Sequence, residues 1–350
     1  MKLPSIFNCS NDMALAAHVR QYLPPKRIQQ MEADLEALAQ VWADTRFAGP
    51  WGWSLATKQR YKQMGVKEEL LPSDEWLEEV RRLSSREYAC RYIQELLEEM
   101  NDERLLGREM RWCDNLDDNL NLNLNDNSKL STLNSWQAKR AEDTMTQLIF
   151  KSPWSSSGRG VFVEKISNLK PQISNLTRLQ GILSSQGGFV VDRFYEDKVL
   201  DFAMEFFVHE DHEVEFLGYS VFVTGEHGAY GYNYVESQEE LMKRILEGEN
   251  GLNGLNGLNG LLLERLVRYH QEHLAKTAYR GPVGIDMLKT AGGQIHPCLE
   301  INFRMNMGIL ALLLQEQYGA GCTKQLTPHR PNGFEALVER GKLMIAYRRQ

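Results

Sequence analysis

Two stretches of the sequence carry side chains that could bind a polyphosphate and a metal ion. The first, residues 150–161, reads Phe-Lys-Ser-Pro-Trp-Ser-Ser-Ser-Gly-Arg-Gly-Val. Its small residues let backbone N–H groups approach an anion closely, and its serine hydroxyls add hydrogen-bond donors. Lys151 and Arg159 supply positive charge. The spacing is neither that of a P-loop nor that of a dinucleotide-binding fold, so a plain hairpin loop is the alternative interpretation.

The second stretch is a predicted hairpin over residues 282–289 and 294–302, in which acidic and amide side chains share one face. Glu300 and Asn302 lie two residues apart, so both point to the same side of a strand. We expect Asp286 to lie opposite Pro297, and a one-residue bulge then makes Asp286 and Glu300 diagonal neighbours, ~7–8 Å apart. Two carboxylates and an amide oxygen suit a hard cation such as Mg²⁺.

Arg304 follows on the same face as Asn302. A guanidinium in this position can hold a phosphate or stabilise developing negative charge. A solvated polar strand face, or an ion pair between Glu300 and Arg304, is the structural alternative to a metal and phosphate site.

The elements that must position these residues follow from local patterns. Helical spacing and capping residues predict helices over 29–43, 74–83, 84–99 and 261–278. Strand patterns are found at 148–151, 160–163, 189–194, 202–208 and 214–223, in addition to the hairpin. Several consecutive strands look antiparallel, which favours an α+β (mixed α/β) fold over a doubly wound parallel sheet.

Composition narrows the class of protein. The chain has 350 residues, 42% hydrophobic and 25% charged, with a net charge of −7, so we expect about two domains and no general nucleic-acid-binding surface. Five scattered cysteines indicate a reducing compartment, and no signal peptide or membrane span is evident, so we expect a cytoplasmic protein without a membrane partner. The low-complexity segments 115–127 and 250–260 are interpreted as surface insertions.

The order of these features resembles the ATP-grasp superfamily from about residue 148 to residue 308. A lysine-bearing strand, a Ser/Gly loop, an acidic hinge and a final Glu-x-Asn-x-Arg motif follow one another. The resemblance implies antiparallel sheets that sandwich ATP, preceded by a smaller, mostly helical N-terminal domain. It implies domains at 1–83 and 84–350, with a nucleotide-covering subdomain at about 148–224.

The resemblance also implies roles for individual residues. The implied nucleotide-binding residues are Lys151, Ser155, Ser156, Ser157, Gly158, Arg159, Gly160, Asp192, Arg193, Phe194 and Asp201. Glu196 and Asp197 are rivals of Asp201 for the ribose hydroxyls. Asp286, Glu300 and Asn302 match the magnesium ligands, and Arg304 and Lys151 the catalytic cations. Lys129 and Lys139 are candidates for a second phosphate-binding lysine.

The activity implied by the resemblance is ATP- and Mg²⁺-dependent ligation, with Mn²⁺ as the alternative ion. A small-molecule carboxylate is activated as an acyl phosphate and then attacked by an amine or thiol, with release of ADP and phosphate. An ATP-grasp kinase and a non-catalytic ATP-binding module are the alternatives. A homodimer is compatible with the resemblance.

Overall fold

The computed structural model describes residues 3–116, 146–155, 160–166, 175–225, 230–246, 256–318, 323–327, 335–340 and 343–348. Its N-terminal part is mainly helical. The helices are α1 Asn11–Ala17, α2 Lys26–Leu35, α3 Leu55–Gln63, α4 Asp74–Leu83 and α5 Arg86–Met100, with short 3-10 helices at Glu36–Val41 and Glu68–Leu70. None of the helices in these ranges is long and apolar enough to cross a membrane.

Two serines start the helices that lead to the site. The hydroxyl of Ser73 accepts a hydrogen bond from the N–H of Trp76 (3.2 Å), and the hydroxyl of Ser85 accepts one from the N–H of Glu87 (3.1 Å). The side chains thus satisfy backbone donors in the first turns of α4 and α5, as the sequence predicts.

The prediction of a single helix over residues 29–43 is wrong in one respect. The α-helix ends at Leu35 and the chain continues as a 3-10 helix from Glu36 to Val41. Leu35, Leu38 and Val41 recur every three residues, which is the period of a 3-10 helix, and Leu35 and Leu38 are buried.

Two antiparallel sheets form the rest of the fold, which confirms the α+β class predicted from the sequence. The smaller sheet has the strand order β1-β4-β2-β3 and packs against helix α6. Its strands are β1 Arg111–Cys113, β2 Thr146–Lys151, β3 Val161–Ile166 and β4 Phe189–Arg193, and α6 spans Leu176–Gln186.

The larger sheet has eight strands in the order β11-β12-β10-β7-β6-β5-β8-β9. They are β5 Lys198–Val208, β6 Val214–Thr224, β7 Tyr230–Tyr234, β8 Gly281–Thr290, β9 Ile295–Asn302, β10 Thr323–Thr327, β11 Glu335–Arg340 and β12 Leu343–Arg348. The helices between them are α7 Gln238–Leu246, α8 Asn256–Ala275 and α9 Met307–Tyr318. The predicted hairpins β5–β6 and β8–β9 are both present.

Helix α8 begins earlier than predicted, so part of the predicted insertion at 250–260 is helical. Residues 256–260 form the first turn of α8. Helix formation is cooperative, so residues next to an established helix join it without a new nucleation step. Residues 117–127 and 250–255 of the two low-complexity segments lie outside the described residues.

The large sheet has an apolar layer on each side. Phe202, Met204 and Phe206 of β5 belong to the core cluster that includes α7 and α8. Helix α9 packs on the sheet and joins a second cluster with the N-terminal segment, which includes Trp42 and Trp51. The N-terminal segment is therefore fixed to the sheet through α9.

The buried carboxylate of Glu205 leaves no room for a side chain at Gly308, in the first turn of α9. Glu205 of β5 accepts hydrogen bonds from Ser220 (2.7 Å) and Asn306 (2.8 Å). A Cβ atom at Gly308 would lie 2.0 Å from Oε1 of Glu205 and 2.3 Å from Oγ of Ser220. The close approach of α9 to β5 therefore excludes a side chain at Gly308.

We expect Gly308→Ala to lower the free energy of unfolding by about 1–3 kcal/mol, because the added methyl group overpacks this contact. Gly181→Ala is the matched control: Gly181 also lies in a helix, but a Cβ atom added there would meet no other atom within 4 Å. This change raises the stability by up to about 1 kcal/mol through helix propensity. Urea unfolding of both variants measures the difference, and equal stability of the two would contradict the close contact.

Candidate active site

The side chain of Arg86 joins the two stretches singled out from the sequence. It lies at the start of α5 and is only 6% exposed. Its Nη1 donates to the carbonyl oxygen of Ser152 (2.7 Å) and to Oγ of Ser155 (2.7 Å), and its Nη2 donates to the carbonyl oxygen of Ser155 (3.2 Å). Nη2 also forms an ion pair with Oε2 of Glu300. The serine loop and the acidic strand therefore meet across one guanidinium.

The acidic pair has a different register from the one predicted. Asp286 and Glu300 are direct partners in the β8–β9 ladder, so the expectation that Asp286 lies opposite Pro297 and is a diagonal neighbour of Glu300 is wrong. The irregularity is larger than a one-residue bulge: β9 advances four residues, from 296 to 300, while β8 advances two, from 288 to 286. Pro297 lies within it and has no N–H to donate to the ladder.

Direct pairing makes the site strongly acidic. Burial, followed by the charges of Glu300 and Glu205, raises the pKa of Asp286 well above its usual range. Arg304 and a hydrogen bond from Nδ2 of Asn302 to Oδ2 of Asp286 (3.1 Å) act in the opposite direction. A cation between the two carboxylates would relieve this repulsion.

The three predicted magnesium ligands are therefore brought together. Asp286, Glu300 and Asn302 offer carboxylate and amide oxygens, which are the donors that Mg²⁺ prefers. Within the described ranges, no group of three or more His, Cys, Asp or Glu side chains is arranged to hold a metal ion. Two carboxylates and one amide oxygen leave other positions of a Mg²⁺ ion to substrate oxygens, as is usual for Mg²⁺ at phosphates.

Arg304 is held by an acid from the N-terminal segment. Its Nε and Nη2 donate to the two carboxylate oxygens of Asp12, at 3.0 and 2.9 Å, and its Nη1 donates to the carbonyl oxygen of Met305 (3.1 Å). Burial tends to lower the pKa of Arg304, but Asp12, Glu300 and Asp286 raise it above its ordinary value. Arg304 therefore stays charged, and Glu300 pairs with Arg86 instead of with Arg304.

Lys151 lies in a buried charge cluster at the end of β2. Its Nζ is 3.3 Å from Oδ2 of Asp192, and Nε2 of His296 is 3.3 Å from the same oxygen. Burial alone would raise the pKa of Asp192, but Lys151 and His296 lower it to about 2. His296 and Glu300 both belong to β9, so Asp192, the partner of Lys151, contacts the same strand that carries Glu300.

The base of the predicted phosphate loop is closed tightly. The N–H of Ser152 donates to the carbonyl oxygen of Gly160 (2.8 Å), and a Cβ atom at Gly160 would lie 2.6 Å from the hydroxyls of Ser152 and Ser155. Only glycine fits at this point. The remaining predicted loop residues, Ser156, Ser157, Gly158 and Arg159, lie outside the described residues, as do Lys129 and Lys139.

The residues predicted to bind the adenine and ribose of the nucleotide, Arg193, Phe194 and Asp201, differ in their surroundings. Phe194 is 36% exposed, and Arg193 is also exposed, so both have surface available to a ligand. Asp201 is mostly buried and accepts hydrogen bonds from Lys198 (2.7 Å) and Thr224 (2.6 Å). Both donors contact Oδ2 of Asp201.

A narrow cleft lies between the serine loop and the acidic strand, and neither Lys151 nor Asp286 is among its lining residues. Pro153, Trp154 and Ser155 of the loop line one side, and Glu300, Asn302 and Arg304 line the other. Asp12 and Ser84 complete the lining from the N-terminal part. The cleft thus contains hydroxyl, carboxylate and guanidinium groups that converge on one small space.

Comparison with known proteins gives structural matches only. No protein-family profile and no curated protein sequence matches this chain. An ADP complex of N5-carboxyaminoimidazole ribonucleotide synthetase is 11% identical, with a TM-score of 0.46 over 98% of this chain and 90% of that chain. An L-amino acid ligase from Bacillus licheniformis is 11% identical, with a TM-score of 0.42 over 87% of this chain and 69% of that chain.

The biotin carboxylase domain of 2-oxoglutarate carboxylase from Hydrogenobacter thermophilus, solved with MgADP, is 10% identical. The TM-score is 0.36, and the match covers 60% of this chain. This chain spans 54%, or about half, of the length of the biotin carboxylase domain. The overlap is partial, so the functional assignment rests on the side chains of this protein.

Sequence reasoning missed Arg86 and Asp12. Arg86 lies at the N-terminus of α5, where the helix dipole disfavours a cation. A basic residue directly after a capping serine is thus a signal that an anion lies nearby. Asp12 in the first turn of α1 is an ordinary helix-start residue, so nothing in the sequence indicates that it pairs with Arg304.

The pH dependence of stability tests the Lys151–Asp192 pair. The pKa of Asp192 in the folded protein, about 2, lies below its ordinary value of 3.8, so ionised Asp192 stabilises the fold above about pH 4. This contribution is lost as the pH falls through about 2. We expect Asp192→Asn to lower the free energy of unfolding by roughly 2 kcal/mol at pH 7, with a difference from wild type that shrinks toward about pH 2.

Urea unfolding across this pH range measures the effect. Asp211→Asn, at an exposed position, is the matched control and should change little at any pH. A difference between wild type and Asp192→Asn that is constant with pH would contradict the assignment.

Proposed function

We propose that this chain is an ATP- and Mg²⁺-dependent ligase of ATP-grasp type, with an N-terminal domain at 1–83 and an ATP-grasp domain at 84–350. It activates a substrate carboxylate as an acyl phosphate, which an amine or thiol then attacks. The observation that carries the proposal is the contact of Arg86 with both the serine loop and Glu300. This contact brings the serine loop and the strand of Glu300 and Asn302 to the two sides of one cleft.

Positive charge for the phosphates comes from Lys151 and Arg86. We assign to Arg86 the role of second phosphate-binding cation, for which the sequence offered Lys129 and Lys139 as candidates. Its four hydrogen-bonding and ionic contacts hold it at the loop, where a triphosphate can replace Glu300 as its anionic partner. A planar guanidinium binds phosphate oxygens in the same bidentate geometry that it uses for carboxylates.

Asp286, Glu300 and Asn302 would hold Mg²⁺ against the phosphates. When bound there, Mg²⁺ supplies neutralisation of the negative charge on the transferring phosphoryl group. Oε2 of Glu300 pairs with Arg86, so a metal ion that binds this oxygen competes with Arg86 for it. Metal binding at Glu300 and phosphate binding at Arg86 therefore favour each other, since each releases the partner that the other requires.

In the first reaction step, a carboxylate oxygen of the substrate attacks the γ-phosphorus of ATP. The bond from that phosphorus to the bridging oxygen breaks, and ADP leaves. Arg304, held by Asp12 at the edge of the cleft, stabilises charge on the transferring group. In the second step the amine or thiol attacks the acyl carbon and loses a proton. The bond from the acyl carbon to the phosphate oxygen breaks, so phosphate leaves with the oxygen that came from the substrate carboxylate.

Product analysis tests this proposal. We expect ADP and phosphate in equal amounts, formed only when ATP, Mg²⁺, a carboxylate and an amine or thiol are all present. A panel of amino acids and other carboxylic acids, offered with and without a second amine, is assayed for nucleotide and phosphate release. AMP as product, a stable phosphorylated product formed without amine, or ATP binding without turnover would each overturn the ligase assignment.

Substitutions at Arg86 and Glu300 test the assignment of the site. We expect Glu300→Gln and Arg86→Met each to lower kcat by about 100-fold or more, because transition-state charge stabilisation is lost. Glu300→Gln should also raise the Mg²⁺ concentration needed for half-maximal rate. Arg86→Lys should recover part of the activity, since it keeps the charge but not the fork geometry.

Arg91→Met is the matched control for Arg86→Met. Arg91 lies on the same helix, is 69% exposed and pairs with Glu87 one turn before it, away from the cleft lining. The rate and Mg²⁺ dependence of Arg91→Met should equal those of wild type. Wild-type kinetics in both Arg86→Met and Glu300→Gln would exclude the proposed site.

A further inference from the structure

A second pocket lies next to the cleft and shares Arg304 with it. Its volume is about 370 Å³, which is within the range of small-molecule sites, ~300–1,000 Å³. The loop 46–53 forms one wall, and residues 207–210, 279–282 and 304–305 form the others. These segments are the end of β5, the start of β8 and the chain just after β9. Arg304 therefore connects the proposed phosphate cleft with a larger space.

The wall formed by the loop is held in place by backbone and indole hydrogen bonds. The indole N–H of Trp42 donates to the carbonyl oxygen of Gly49 (3.1 Å). The N–H of Trp51 donates to the carbonyl oxygen of Ile6 (2.9 Å), and the N–H of Met305 donates to the carbonyl oxygen of Trp51 (2.8 Å). The loop is thus fixed directly to the residue after Arg304, so the pocket is preformed.

The walls are rich in aromatic side chains. Phe47 and Phe207 meet edge to face, with ring centroids 5.3 Å apart. Trp53 is partly buried and its ring packs on Tyr61, while Tyr279 lines the pocket from the β8 side. An apolar or aromatic ligand body is stabilised on such walls, because binding there removes its apolar surface from water.

Arginines supply the positive charge around the pocket. Arg46, Arg280 and Arg304 line it, together with one acid, Glu210. Arg46 is paired with Glu215 (2.9 Å), and Arg304 is paired with Asp12 (2.9 Å). The guanidinium of Arg280 instead donates to a backbone carbonyl (2.9 Å) and contacts the ring of His212, and neither group carries a negative charge. Arg280 is therefore the lining cation whose charge favours an anionic ligand.

We infer that the pocket holds the acyl substrate, and that this substrate is a carboxylic acid with an aromatic or large apolar body. Its carboxylate would lie between Arg280, which has no carboxylate partner among the described residues, and Arg304, the residue common to pocket and cleft. Its body would lie against Trp53 and Phe207. This inference rests on the proposed function for the reaction, but the binding of such an acid can be measured without ATP.

Titration with 3-phenylpropionate, followed by tryptophan fluorescence and calorimetry, tests the binding. We expect saturable binding of 3-phenylpropionate, at least roughly 10-fold weaker binding of the uncharged 3-phenylpropionamide, and no measurable binding of acetate. Equal binding of the acid and the amide would overturn the charge assignment, and tighter binding of acetate would overturn the aromatic one.

Substitutions of pocket residues test whether 3-phenylpropionate binds in this pocket. Trp53→Ala should weaken 3-phenylpropionate binding roughly 10-fold, and Trp53→Phe should restore most of it because an aromatic ring remains. Arg60→Met, at an exposed arginine outside the pocket lining, should bind as wild type does. Where Trp53→Ala is poorly folded, Arg280→Met supplies the test through loss of preference for the acid over the amide. Unchanged binding in folded Trp53→Ala and in Arg280→Met would overturn the inference.

Failure of this inference is distinguishable from failure of the ligase proposal. ADP release that depends on small polar acids, with no binding of aromatic acids, overturns the pocket assignment and leaves the ligase. Binding of aromatic acids at Trp53 without any ADP release supports the pocket and overturns the ligase.

Discussion

The arrangement of the site depends on one buried guanidinium. Removing the charge of Arg86 from water is costly, and the fold offsets this cost with two carbonyl oxygens, one hydroxyl and one carboxylate. Those acceptors come from a loop and a strand that are far apart in the chain. Because an unpaired buried charge is strongly unfavourable, the loop and strand must stay close together for Arg86 to remain in place.

The same principle governs the other cations of the site. Lys151 is neutralised by Asp192, and Arg304 by Asp12, so each cation is oriented before any ligand binds. Asp286 differs, because its acidic neighbours Glu300 and Glu205 raise its pKa. The protein thus presents oriented positive groups around an acidic centre, which is the charge distribution that a complex of a polyphosphate and a divalent cation complements.

Much of this architecture is encoded locally and was therefore predictable. Capping serines mark α4 and α5, and alternating patterns mark the strands of both hairpins. The face shared by Glu300 and Asn302 follows from the two-residue period of a strand. Strand register is different, because the irregularity around Pro297 depends on contacts that the local sequence does not specify. The partners of Arg86 and Arg304 are also invisible in sequence, since they come from distant segments.

The irregularity in β9 has a consequence for how this hairpin can change in length. In the irregular segment β9 has two more residues than β8, because β9 advances four positions where β8 advances two. An even number preserves the side to which each later side chain points, whereas an odd number would turn Glu300 and Asn302 toward the core. Insertions and deletions in this segment should therefore be tolerated in pairs, and a change of a single residue would turn the side chains that follow it in β9 to the opposite face.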